Sequence, residues 1–182
     1  MKKTITIFSV SLTIISLLFL SPIVNAQPYG AGPYDAIVPY GNQTSLSIAT
    51  SGNVTIPNIT PTTGGTLGTG SSTVTVTSTD VIGFKLYVRS LTSTDMNNLG
   101  SLIPASVNAS PLTLAADTWG YNTNASTNFV GMTLNDVLIK SIVGPASTGN
   151  VTTFTYGMSV DLLKPAGNYT TSVIYTAVPQ TN

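Results

Sequence analysis

The chain has 182 residues, a formal net charge of zero, and no cysteine, histidine or glutamate. These three residue types supply most general bases, thiolate nucleophiles and zinc ligands, so the composition excludes most metal-hydrolase and acid–base mechanisms. We therefore expect no enzyme, no cofactor and no metal site. Charged residues make up 7% of the chain, which also argues against nucleic acid as a partner, because binding it requires clustered Lys and Arg.

Residues 1–26 have the pattern of a secretory signal peptide. Lys2 and Lys3 give a positive start, residues 5–20 are apolar, and small residues precede an expected cleavage between Ala26 and Gln27. The mature protein is therefore expected to be secreted and to remain extracellular, at the cell surface. No later stretch has the roughly 20 apolar residues of a membrane helix, so no membrane span is expected in the mature form.

Residues 27–41, QPYGAGPYDAIVPYG, are predicted to be an extended N-terminal arm. Their Pro, Gly and Tyr spacing fits neither a helix nor a regular strand ladder. In an extended chain Tyr34, Ala36 and Val38 lie on one face. These three are the candidate donor-strand residues, which would fill the core of a neighbouring copy.

Residues 42–182 are predicted to be one all-β domain, a single antiparallel β-sandwich that is Ig-like or jelly-roll-like. The basis is a series of short β-rich runs separated by Gly, Pro, Asn and Ser. The predicted strands are 45–50, 54–56, 73–79, 83–90, 112–114, 151–163 and 168–178.

Two of these runs show the two-residue period of a half-buried strand. In 84–89 the apolar side chains alternate with Lys, Tyr and Arg. In the second run Thr155 and Ser159 are expected to face solvent. The predicted buried side chains are Phe84, Leu86 and Val88 in the first run, and Phe154, Tyr156, Met158, Val160 and Leu162 in the second.

Turns and two short helices complete the predicted elements. Residues 164–167, KPAG, have Pro and Gly at type I turn positions and are predicted to join the last two long strands as a hairpin. The glycine-rich residues 64–70 lack a P-loop lysine and are predicted to be a turn. Residues 94–99 and 134–140 are the helix candidates, each too short to be stable alone.

Few side chains could carry chemistry. The aspartates form neither an aspartic-protease motif nor an EF-hand loop, but Asp80, Asp117 or Asp136 could contribute to a nonlocal calcium site. Trp119, in the TWGY segment, could stack on a sugar ring, although a place in the core is favoured. A Lys–Asn isopeptide bond, catalysed by a buried aspartic acid, is a further alternative.

Three segments taken together resemble a known group of proteins: TVTVTSTDVIGFKLYVRS (73–90), TWGY (118–121) and TYGMSVDLLKPAGNYTTSVIYTAVP (155–179). They resemble uncharacterised secreted surface proteins of candidate-phylum (Patescibacteria) bacteria, which have a TWGY box and a terminal PAGxYT hairpin. A TGY- or TGF-like turn of that group is Ile82-Gly83-Phe84 here. The PAGxYT ending also occurs in other bacterial surface β-domains, such as the WxL type. The resemblance implies a β-sandwich on a cell surface and no catalytic residues.

The sequence favours an extracellular structural or adhesive surface protein, with a self-assembling, pilus-like filament subunit as the leading hypothesis. After residue 26 four basic side chains face six aspartates, a formal charge of −2, which leaves little repulsion between copies. A homo-oligomer or polymer is therefore expected. The alternative is a secreted module that binds carbohydrate, such as cell-surface or host glycans. A hydrolase that uses Asp and Ser is a third hypothesis, and it would require convergent groups in a cleft.

Overall fold

A computed structural model of the protein describes residues 45–79 and 81–180. In this part of the chain every regular element is a β-strand, and every strand pairing is antiparallel. The predicted all-β, antiparallel class is therefore confirmed. The expected cleavage site at Ala26 and Gln27, and the candidate donor residues Tyr34, Ala36 and Val38, lie outside the described residues. Between residues 45 and 180, apart from the one gap, no helix has the length and apolarity needed to cross a membrane.

The described strands form two main sheets and one small hairpin. They are β1 Ser45–Thr50, β2 Thr66–Thr79, β3 Gly83–Ser90, β4 Met96–Asn98, β5 Ser101–Ile103, β6 Thr118–Asn122, β7 Val137–Val143, β8 Ala146–Val160 and β9 Val173–Gln180. The first sheet has the order β1-β2-β8-β6, the second has the order β7-β3-β9, and β4 pairs with β5.

One apolar core joins the two main sheets. The alternation predicted for β3 is confirmed, because Phe84, Leu86 and Val88 are fully buried. Trp119 is also fully buried, as favoured from the sequence, and its Nε1 donates to the Thr94 carbonyl at 2.8 Å. The buried core residues are Val74, Val76, Phe84, Leu86, Val88, Met96, Ile103, Trp119, Tyr121, Met132, Phe154 and Tyr156.

β8 is buried on both faces over its second half, which corrects the predicted half-buried pattern. Thr155 and Ser159 are 8% and 6% exposed, and Leu162, beyond the end of the strand, is 59% exposed. The reason is Phe129, whose ring lies on the face opposite the core. A Cβ on Gly157 would come within 2.5 Å of that ring.

The predicted turn at 64–70 is wrong for its second half, because Gly68 and Gly70 lie within β2. The preceding segment passes over them, so that a Cβ on Gly68 would lie 2.5 Å from Ile59 Cδ1. A Cβ on Gly70 would lie 2.6 Å from the Thr55 carbonyl oxygen. The predicted strand at 54–56 is therefore absent, since this segment covers a face of β2 instead of pairing with a strand edge.

Neither predicted helix forms, and each segment contributes residues to a strand instead. Residues 94–99 contain β4, and residues 134–140 contribute to β7, where Val137 and Ile139 pack against the core. Tertiary packing determines the secondary structure of such short segments, and the β-branched residues of 137–140 favour a strand. Of the predicted strand 112–114, only Leu112 forms a bridge, with Phe129.

The predicted hairpin at 164–167 is also wrong, because β8 and β9 belong to different sheets. The segment between them crosses from one sheet to the other and is held by side-chain contacts. Lys164 Nζ donates to the Leu102 carbonyl at 2.8 Å, and the Tyr169 hydroxyl donates to the Pro165 carbonyl at 2.8 Å.

Candidate functional site

The first candidate site is an unpaired length of strand in the first sheet. β2 pairs along β8 from Ala146 to Val160, but β6 pairs with β8 only at residues 155–159. The edge of residues 146–154 that faces away from β2 therefore pairs with no described strand. We call this length of β8 the open edge. At about 3.4 Å per residue it is roughly 30 Å long.

A cavity of about 270 Å³ lies against the open edge and is called the edge cavity. It lies between β8 and β7, an edge strand of the second sheet, just beyond the end of β6. Consecutive residues of β8 line it, so it follows the strand edge rather than one face. The lining residues are Thr123, Ile139, Lys140, Val151, Thr152 and Thr153.

The edge cavity contains a buried polar atom without a partner. Thr152 is 8% exposed, and its Oγ1 makes no hydrogen bond. Asn122 Oδ1, next to Thr123 in sequence, shares this property, and across the described residues these two atoms are the only such cases. An unpaired buried hydroxyl costs about 1–3 kcal/mol. Thr152 Oγ1 is therefore a buried hydroxyl with unused hydrogen-bonding capacity beside the edge cavity.

Lys140 is the charged residue of the edge cavity. In register it lies opposite the buried Leu86, so its side chain points between the sheets, and its Nζ donates to Asn150 Oδ1 at 2.7 Å. An inward-pointing charge on an edge strand discourages pairing with unrelated strands. Lys140 therefore places a positive charge beside the edge cavity.

The Lys140–Asn150 contact also bears on the isopeptide alternative. It places a lysine amine beside an asparagine amide, as that reaction requires. Neither side chain contacts an aspartate in the described ion pairs, which are Arg89–Asp136 and Lys164–Asp117. The described residues therefore provide no acid to catalyse the bond at this pair.

The second candidate site is a cleft of about 320 Å³, called the polar cleft. Two backbone hydrogen bonds hold its walls together, from Leu91 N to Ser172 O at 2.9 Å and from Asn97 N to Thr170 O at 3.0 Å. Its donors and acceptors suit a neutral ligand with several hydroxyl groups. The lining residues are Thr92, Ser93, Asp95, Asn97, Leu102, Thr170, Thr171 and Ser172.

The calcium site considered from the sequence is not formed by the described aspartates. Asp117 Oδ2 lies 3.8 Å from Lys164 Nζ, whereas Asp136 Oδ1 lies 3.5 Å from Arg89 Nε. Each carboxylate is thus engaged in a separate ion pair, and Asp80 lies outside the described residues. Where the structure describes the chain, no group of three or more Asp, Glu, His or Cys side chains could hold a metal ion.

Sequence reasoning missed the β7 wall of the edge cavity because residues 134–140 were predicted to be helical. That assignment placed Lys140 on a helix rather than beside β8. The run VLIKSIV at 137–143, rich in β-branched residues and followed by Gly144 and Pro145, was the signal that could have identified an edge strand.

The chain matches no protein-family model and no curated protein. The resemblance to Patescibacteria surface proteins therefore stays a prediction.

Proposed function

We propose that the protein is an extracellular structural protein whose copies assemble into a surface filament by strand addition. The observation that supports this function is the open edge of β8, which pairs with no described strand and borders the edge cavity. Secretion is proposed from the signal-peptide pattern of residues 1–26.

A free strand edge presents unpaired N–H and C=O groups, and an added strand satisfies them while its alternate side chains enter adjoining pockets. The edge cavity offers such a pocket, and Thr152 Oγ1 offers a hydrogen bond. The low charge of the chain adds little repulsion between copies. Strand addition therefore explains the free edge, the cavity and the unpaired hydroxyl together.

Assembly is tested with residues 27–182 purified over a concentration series and followed by analytical ultracentrifugation and negative-stain microscopy. We expect polymers above a threshold concentration. Val151→Lys places a charge at the open edge, where the side chain is 55% exposed, and should suppress polymers without unfolding the domain. Leu163→Lys, at a 91% exposed position beyond β8, is the control and should assemble normally. A wild-type protein that stays monomeric throughout would refute the filament function.

The polar cleft favours a second function, the binding of a neutral glycan. The Asp95 carboxylate can accept hydrogen bonds from two sugar hydroxyls, and the surrounding Thr and Ser side chains can donate or accept more. We expect Asp95→Asn to weaken binding to a glycan array at least tenfold, while Asp136→Asn, a matched change at a residue that does not line the cleft, leaves binding unchanged. An array on which the wild-type protein binds nothing would eliminate this function.

A further inference from the structure

We propose that the strand added to the open edge is the N-terminal arm of a second copy, with Tyr34 anchored in the edge cavity. This inference rests on the proposed assembly by strand addition and identifies its donor, its acceptor and the contact between them.

The length of chain that precedes β1 is sufficient for this role. Cleavage before Gln27 would leave residues 27–44 ahead of Ser45. Fully extended, these residues span about 60 Å, at roughly 3.3 Å per residue. The open edge requires roughly half of that length. One arm can therefore pair along the whole edge and still connect to its own domain.

The position of β1 is compatible with a donor from a second copy. β1 is one edge strand of the first sheet, and β2 separates it from β8. Ser45, the first residue of β1, therefore lies at the edge of the sheet opposite the open edge. Donor and acceptor at different edges make a head-to-tail contact, which extends into an open chain when the rotation between successive copies does not close.

The chemistry of the edge cavity matches Tyr34. An aromatic ring can pack on Ile139, while the phenolic hydroxyl reaches the polar groups of Thr152 and Lys140. Tyrosine suits this mixture because it has an apolar body and a polar end. Ala36 and Val38 follow on the same face of an extended arm.

Charge also favours this donor. Residues 27–41 contain one charged side chain, Asp35, and Lys140 is the charged residue among those that line the edge cavity. The arm has no basic side chain that Lys140 would repel, and Asp35 itself lies on the face opposite Tyr34, away from the lysine. A basic segment would instead be repelled.

The absence of cysteine from the chain permits a direct crosslinking test. Asp35→Cys and Ile37→Cys lie on the outward face of the proposed donor strand. Val151→Cys and Thr153→Cys lie at exposed positions of the acceptor. Each variant carries one cysteine, and each donor is mixed with each acceptor under mild oxidation. Two positions on each side accommodate a shift in register.

We expect at least one donor–acceptor mixture to give a disulfide-linked dimer that neither variant gives alone. Ser47→Cys, exposed on β1 at the opposite edge of the sheet, is the acceptor control and should not crosslink. Polymers in microscopy without any of these crosslinks would overturn the arm's placement while leaving the filament function intact. An absence of polymers would refute the filament function itself.

A chain with both Ile37→Cys and Val151→Cys distinguishes the two possible sources of the arm. Crosslinked dimers and larger species support exchange between copies. A crosslink that forms only within a monomer would show that the chain's own arm occupies the open edge, and would overturn the proposal.

Two substitutions test the anchor. Tyr34→Ala should raise the threshold concentration for assembly at least tenfold. Tyr29→Ala, the same change at another tyrosine of the arm, should alter that concentration less than twofold.

On the acceptor side, Thr152→Val should weaken assembly several-fold without lowering the melting temperature of the monomer, because it removes a hydroxyl that the described residues leave unpaired. Equal thresholds for the two tyrosine variants would show that Tyr34 is not the anchor.

Discussion

Tyr156 and Tyr175 connect the two sheets through their hydroxyl groups. Tyr156 is 5% exposed, and the ring of Tyr175 lies 4.8 Å from the ring of Phe154, measured between centroids. Burial, together with the neighbouring Tyr175, raises the pKa of Tyr156 above the ordinary tyrosine value. Burial also raises the pKa of Tyr121. The folded protein therefore keeps Tyr156 protonated under alkaline conditions that would ionise it in the unfolded chain.

This raised pKa predicts a loss of stability at high pH. An unfolded tyrosine ionises near pH 10, so the stabilisation is complete below that pH and decreases as the pH rises above it. The decrease approaches about 1.4 kcal/mol per pH unit for one tyrosine. Tyr156→Phe should make the free energy of unfolding, measured with urea between about pH 9 and 12, less dependent on pH. The same variant at pH 7 controls for the lost hydroxyl contact, and an unchanged pH dependence would contradict the prediction.

At the scale of elements, two facing glycines allow a loop to cover a strand. Gly120 of β6 and Gly157 of β8 are register partners. A Cβ on Gly157 would come within 2.5 Å of the Phe129 ring, and one on Gly120 would lie 3.2 Å from Phe129 Cβ. Phe129 is itself fully buried. Because neither glycine has a side chain, the ring of Phe129 fits against the sheet in a slot between them. This explains why both faces of β8 are buried at this point.

A double-mutant cycle tests the slot. Gly157→Ala should destabilise the protein by about 1–3 kcal/mol, as expected for an overpacked core. Phe129→Ala should cost about 3–5 kcal/mol. In the Phe129→Ala background the second change should cost nearly nothing, because the clashing ring is gone. Additive free energies of unfolding in urea would show that the two positions do not interact.

Elements whose pattern is local could be predicted from the sequence. β1 and β3 were predicted with their observed bounds, because turn residues flank them and β3 alternates clearly. β7 was missed because its short run VLIKSIV, mainly apolar, fits either a strand or one face of a helix. The predicted KPAG turn at 164–167 is not formed, because the hydrogen-bonded turn lies one turn earlier, where Lys164 N donates to the Asp161 carbonyl. Turn chemistry also does not determine which sheet the next strand joins. The assumed β8–β9 pairing failed for that reason.

At the scale of the whole molecule, the candidate site results from a mismatch in strand length. β6 ends at Asn122 while β8 continues from its partner Thr155 back to Ala146. The unpaired length of β8 is defined only when both strands are placed side by side in one sheet. The open edge could therefore not be predicted from the sequence, whereas the donor arm could be proposed from local composition.

Hydrogen exchange should detect the open edge directly. Successive amides of a strand point to opposite edges, so in the monomer those of residues 146–154 that point away from β2 should exchange rapidly. In the polymer they should become protected by at least tenfold. Amides of β2 at residues 73–79 lie in the interior of the sheet and serve as the control, with slow exchange in both states. Equal exchange of the open edge in monomer and polymer would contradict strand addition there.

The start of β1 and the open edge of β8 lie toward opposite margins of one sheet. A linear polymer linked through them would have two chemically distinct ends, one with an unfilled acceptor and one with an unused arm. A subunit that lacks residues 27–41 could receive an arm but could not donate one. Small amounts of this truncated form would act as a chain terminator at one end only, and the mean filament length would then report the ratio of truncated to intact subunits.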